Sequence, residues 1–100
     1  MRESSVERKF RLVVRSLNGR AIKLQRTGKR GEPDRIVVLP NGITVWAELK
    51  RPGKKPRPEQ ARAHAWLRRR GHKVMVVDGT NWHQTFTYLR GLAILGARHA

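Results

Sequence analysis

The chain has 100 residues, and its 23 Lys and Arg against 7 Asp and Glu leave a formal net charge of +16. That length fits one domain, 1–100, with a modest core, and the charge calls for a polyanionic partner, DNA first, because neutralised phosphates release their counterions. The absence of cysteine excludes disulfides and thiolate metal sites. No apolar run approaches the roughly 18 residues of a membrane span and no signal core opens the chain, so a soluble, cytoplasmic protein with no membrane partner is expected.

Ser4 followed by Glu7 makes a capping box. Val6, Phe10, Val13, Val14 and Leu17 then recur at helical spacing, which predicts a helix over 5–17. Asn18 and Gly19 can end it, since both accept the left-handed conformation at a helix C-terminus. RAIKLQ, 20–25, alternates Ile22 and Leu24 with Ala21, Lys23 and Gln25 and reads as a first strand; RTGKRGEP, 26–33, is a polar connection.

Strands over 34–39 and 43–50 form a hairpin whose register depends on its turn. A two-residue Asn41-Gly42 turn pairs Arg35 with Glu48; a three-residue loop of Pro40, Asn41 and Gly42 pairs Asp34 with Glu48. Turn chemistry favours the second, with Pro at the first central position of a type I turn and Gly at the left-handed bulge position that follows. RPGKKPRP is a cationic linker, and Pro58 opens a helix to about residue 70 with Ala63, Trp66 and Leu67 inward. KVMVV, 73–77, suits an internal strand, and Thr80 or Asn81 caps a last helix carrying Trp82, Phe86 and Leu89. The order is α-β-β-β-α-β-α, an α/β (α+β) fold with a central mixed sheet flanked by helices.

Glu48 and Lys50 are two residues apart on one strand and project from the same face. Asp34 joins them in the favoured register, with Cβ atoms roughly 5 Å apart across the strands. Two carboxylates so close repel unless a cation compensates them. Magnesium, a hard ion that keeps waters and accepts phosphate oxygens, is the economical choice, with manganese able to substitute. Bound there, it would polarise a phosphodiester and help generate hydroxide, while Lys50 on its solvent-facing strand end orients the attacking water or offsets charge.

The segment RGEPDRIVVLPNGITVWAELKRPGKKPRPEQ, with Pro33-Asp34, then Glu48-Leu49-Lys50, resembles the PD-(D/E)xK nucleases and, within them, the virus-type replication-repair nuclease branch, VRR-NUC. The features carrying the resemblance are Gly31, Pro33 and Asp34, a short hairpin, Glu48 and Lys50, and a downstream helix bearing Gln60; the similarity spans roughly residues 4 to 78. It implies a restriction-endonuclease-like core and a metal held by Asp34, Glu48 and the backbone carbonyl of Leu49. Lys50 would be catalytic, with Gln60 positioning Lys50 or the substrate phosphate. Glu7 matches an acidic residue that such nucleases place on the first helix, facing the metal directly or through water. Small free-standing phage members of this branch resemble Holliday-junction resolvases and act as homodimers, so a host-cytoplasmic phage nuclease is the implied setting.

Other residues carry plainer readings. Arg51, Lys54, Lys55 and Arg57 follow the active strand directly and read as phosphate contacts, with Lys23 a further substrate-binding candidate. His64, His72, His83 and His99 show no zinc spacing and read as core or surface residues. Trp46 falls on the Glu48 face, as packing or as a base-stacking surface. No Gly-rich phosphate cradle is present, so no nucleotide cofactor is expected. The last helix carries more apolar residues than one packed face requires, which suggests a homodimer formed through it. The reading is therefore a metal-dependent endonuclease acting on branched DNA. Its rival is a non-catalytic basic nucleic-acid-binding module, which would gain by losing Asp34 and Glu48 because both repel phosphate.

Overall fold

The computed structural model describes residues 3–24, 31 and 33–99, with side chains to residue 96. The chain runs α1 (Ser5–Ser16), β1 (Arg20–Lys23), β2 (Arg35–Val38), β3 (Thr44–Leu49), α2 (Pro58–Arg69), β4 (Val74–Val77) and α3 (Trp82–His99), the order read from the sequence. Gln25 and most of the 26–33 connection lie outside the described residues.

The α1 capping box forms as written: Ser4 Oγ accepts the Glu7 N–H at 3.1 Å, and the Glu7 carboxylate accepts the Ser4 N–H at 3.4 Å. At the other end Asn18 turns left-handed (φ 59°) and the Gly19 N–H closes on the Val14 carbonyl at 3.0 Å.

The four strands lie in the order β1-β2-β3-β4. The first three are antiparallel, and β4 runs parallel to β3 because α2 carries the chain back across the sheet before β4 begins. Alternation divides the strands between two layers. Val37, Leu39, Val45, Ala47, Met75 and Val77 form the main core with Phe10 and Val14 of α1 and Leu89 of α3. Trp46 and Glu48 project to the opposite face, which α2 covers with Gln60, His64 and Leu67 buried.

The hairpin adopts the three-residue loop. Arg35 pairs with Ala47 and Val38 with Thr44, and the Leu39 N–H donates to the Ile43 carbonyl at 2.8 Å. The turn itself differs from the type I expectation: Asn41 is left-handed (φ 64°, ψ 31°) as well as Gly42 (φ 79°). Asn tolerates this region better than other side chains, and the loop is packed from outside by α3. A Cβ on Gly96 would fall 2.8 Å from Ile43 Cγ1 and 3.2 Å from the Pro40 carbonyl, so only glycine lets the end of α3 close on the hairpin tip.

One further expectation is corrected. Trp66 does not face inward; it is 51% exposed, leaving Leu67 as the buried anchor of that turn. Of the two cap candidates for α3, Asn81 takes the position, its carbonyl accepting the Thr85 N–H at 2.9 Å. Thr80 instead donates its N–H and hydroxyl to Asp78 at 2.9 and 2.6 Å.

Candidate active site

Extending the observed β2–β3 register by one pair sets Asp34 directly opposite Glu48. Strand alternation then places Lys50 on the same face. Asp34 ends the hairpin at its open side, where its Oδ1 accepts the Leu49 N–H at 3.4 Å. Glu48 is buried, its side chain 3% exposed, where a solvent-facing strand end was expected. Its Oε2 lies 3.4 Å from Gln60 Nε2 and 4.0 Å from Lys50 Nζ, and its Oε1 lies 3.9 Å from His64 Nε2.

The α2 helix supplies this lining through its first two turns. Gln60 Oε1 accepts the Arg57 N–H at 2.9 Å, which fixes the amide so that its nitrogen faces Glu48. Gly31 is what lets the lead-in to Asp34 approach this helix. It is left-handed (φ 95°), and a Cβ there would sit 2.6 Å from the Glu59 carbonyl and 3.2 Å from the Gln60 nitrogen. His64 lies one turn beyond Gln60 and is 2% exposed. Burial, then the Arg68 and Lys50 charges, push its pKa below the ordinary imidazole value.

On the other side of the sheet, Arg35 ties α1 to the site. Its guanidinium reaches Glu7 Oε2 at 2.5 Å and Asp34 Oδ2 at 3.3 Å. Glu7, Asp34, Leu49, Lys50, Lys23 and Arg51 all line one cleft of about 830 Å³. Lys54, Lys55 and Arg57 are exposed on the tract leading from that cleft to α2.

The structure thus brings Asp34, Glu48, Lys50 and Gln60 together, with the Leu49 backbone, Lys23 and Arg51 at the adjoining cleft. Glu7 shares the cleft, but its oxygens are engaged by Ser4 and Arg35. Two neighbours escaped the sequence reading. His64 follows Gln60 at i+4, a spacing that puts both on one helix face, and that was the available signal. Arg35 gave none, because its alternation points it to the core side, away from the Asp34 face.

Among the described residues no three His, Cys, Asp or Glu side chains converge as a metal-holding group. Two cross-strand carboxylates with a backbone carbonyl nevertheless suit a hard divalent ion that fills the rest of its octahedron with water and phosphate.

No protein-family profile matches the chain. It is 47% identical over 78 residues to "Putative nuclease p44" of Acyrthosiphon pisum secondary endosymbiont phage 1, covering 78% of this chain and 84% of that protein. Among solved structures it is similar to a VRR_NUC domain, with a TM-score of 0.69, 33% identity, and coverage of 87% of this chain and 88% of that one. A mixed four-stranded sheet with this element order, carrying paired carboxylates on its central hairpin, is a nuclease architecture. The chain belongs to the VRR-NUC nuclease family, as Gly31, Pro33, Asp34, Glu48, Lys50 and Gln60 suggested. No helix among the described residues is long and apolar enough to cross a membrane.

Proposed function

We propose that this protein is a magnesium-dependent endonuclease that hydrolyses phosphodiester bonds in DNA, with manganese able to substitute and branched DNA as the preferred substrate. The observation that carries the reading is the in-register opposition of Asp34 and Glu48 with Lys50 on their face and Gln60 against Glu48. Asp34, Glu48 and the Leu49 backbone carbonyl would hold the ion, whose chemistry when bound is polarisation of the phosphodiester and activation of water.

The remaining roles belong to the chain itself. Lys50 lines the cleft and donates to the attacking water or to a phosphate oxygen, offsetting charge as it develops. Gln60, anchored by the Arg57 N–H, holds Glu48 in place. Arg35 fixes Asp34 from behind, and Glu7 acts through Arg35 and through water. Lys23, Arg51, Lys54, Lys55 and Arg57 take the phosphates on either side of the scissile bond. Cutting both strands of a symmetric junction calls for two such sites, which a homodimer through α3 would supply.

The test incubates purified protein with end-labelled linear duplex, flap and four-way junction DNA in magnesium, manganese or EDTA. Cleavage in either metal, absent in EDTA and in the Glu48→Gln and Lys50→Ala proteins, is expected. Full activity in either purified variant eliminates the site. Binding without cleavage by the unaltered protein would favour the non-catalytic module.

A further inference from the structure

Beside α2, where the helix meets the sheet face it covers, lies a second concavity of about 840 Å³, with Pro33, Trp46 and Trp66 on its walls and Arg62, Arg69, His72 and the single acid Glu59 among its other residues. Trp66 is the largest exposed apolar side chain of the described residues, 51% open. It is not loosely held: the Arg70 guanidinium lies 3.8 Å from its ring centroid, and Arg70 Nη1 donates to the Trp66 carbonyl at 3.1 Å. A half-exposed indole braced by a stacked cation is a preorganised flat surface. It does nothing for the core, which Leu67 serves on the same turn.

We propose that this groove binds an unpaired nucleobase of the DNA substrate, stacked on Trp66, with its flanking phosphates taken by Arg62 and Arg69. Single-stranded nucleic acid is recognised by this combination of aromatic platforms along a cationic track. Duplex DNA offers no free base face, so the site selects substrates with unpaired or frayed nucleotides. Arg62 and Arg69 beside an open indole suit a polyanion that also presents a flat base face, and the net charge of +16 draws such a partner in.

Position supports the assignment. Pro33, in the groove wall, directly precedes Asp34. Trp46 lies on the Glu48 face of β3 two residues before it, a separation of roughly 7 Å along a strand. The groove is thus walled by close chain neighbours of both candidate metal ligands.

The proposal rests on the reading of the chain as a DNA-acting nuclease, and its test reads binding alone. Fluorescence anisotropy in EDTA compares a labelled blunt duplex with the same duplex carrying a single-stranded tail, for the unaltered, Trp66→Ala and Trp66→Phe proteins. Trp66→Ala is expected to weaken binding to the tailed DNA by about tenfold, leave the blunt duplex unchanged, and be partly restored by Trp66→Phe. In a Trp46→Phe, Trp82→Phe protein, whose one tryptophan is Trp66, oligo(dT) should quench the emission. Unchanged binding of tailed DNA by Trp66→Ala overturns the inference, as does an equal loss on both DNAs or a fall in oligomeric mass caused by Trp66→Ala. If the unaltered protein binds neither DNA, the inference and the nuclease reading fall together; if it binds and cleaves while Trp66→Ala changes nothing, the inference alone falls.

Discussion

Arg35 and Glu7, 28 residues apart in sequence, are joined at 2.5 Å, and the same guanidinium reaches Asp34 at 3.3 Å. Arg35 is 9% exposed and Glu7 29%, so the contact is partly sheltered from solvent and salt. It couples the orientation of the first helix to that of the candidate metal ligand at the hairpin mouth. The exposed pair between Arg11 of α1 and Glu3, just before the helix, serves as a control, being open to water on both sides.

A double-mutant cycle on Arg35→Ala and Glu7→Gln should give a coupling energy of about 1 kcal/mol or more from chemical denaturation. The cycle on Arg11 and Glu3 should give a smaller value that vanishes in high salt. Glu7→Gln should also slow cleavage without abolishing it, because Asp34 keeps its arginine. Coupling at positions 35 and 7 no larger than at the control pair would show that the fork does not organise the site.

Gly31→Ala is expected to be far more damaging than its size implies. The residue sits at φ 95°, where a side chain is strained, and its Cβ would overlap the backbone of Glu59. Relief requires the lead-in to Asp34 and the first turn of α2 to separate, which draws Asp34 away from Gln60 and Glu48. A loss of about 1–3 kcal/mol of stability should accompany at least a tenfold fall in cleavage rate measured well below the melting temperature. Gly42→Ala is also strained (φ 79°) but meets nothing within 4 Å, so it should lose stability and keep its specific activity. Equal activity losses in the two variants would contradict this placement.

Most of the fold was legible because local rules and tertiary packing agree here. The Ser4–Glu7 box, the three-residue Pro40–Asn41–Gly42 loop and the Pro58 start each have a local cause. The loop length alone set Asp34 opposite Glu48. Burial was harder to read. Period alone puts Trp66 near the inward stripe of α2, but the space beneath that helix is taken by Gln60, His64 and Leu67, so the indole is turned out. Alternation gives the face on which Glu48 lies, yet which helix covers that face is a property of the crossover and not of the strand. His64 has no zinc spacing, and its place beside a buried carboxylate depends on that same crossover.

The cationic tract should govern affinity without governing sequence preference. Lys54, Lys55 and Arg57 are exposed beside the candidate site, where charge reversal disturbs no buried group. The triple Glu variant should bind all DNA sequences more weakly by a similar factor. Its plot of log affinity against log salt should flatten by roughly 0.9 for each phosphate that the chain no longer neutralises. A slope identical to that of the unaltered protein would place the DNA surface elsewhere.

The α3 helix provides the test of assembly. Part of its apolar supply completes the monomer: Leu89 is fully buried, Thr85 is 3% exposed, and Gly96 closes on the hairpin tip. Phe86, Tyr88, Ile94 and Leu95 remain 38–47% exposed, but they do not form one stripe. At 100° per residue Tyr88 and Leu95 fall about 20° apart, whereas Ile94 and Phe86 point to other sides of the helix. If the protein pairs through α3, the Tyr88–Leu95 line is the seam, and it is narrower than the sequence suggested. Light scattering on a size-exclusion column should give about twice the 11.5 kDa chain mass. Leu95→Glu should return the monomer, and Ile94→Glu should leave the dimer intact. The Leu95→Glu monomer should still nick DNA with its own Asp34, Glu48 and Lys50 but lose paired incision of a four-way junction. A monomeric mass for the unaltered protein at micromolar concentration would remove α3 pairing, and with it the basis for coordinated cutting of two strands.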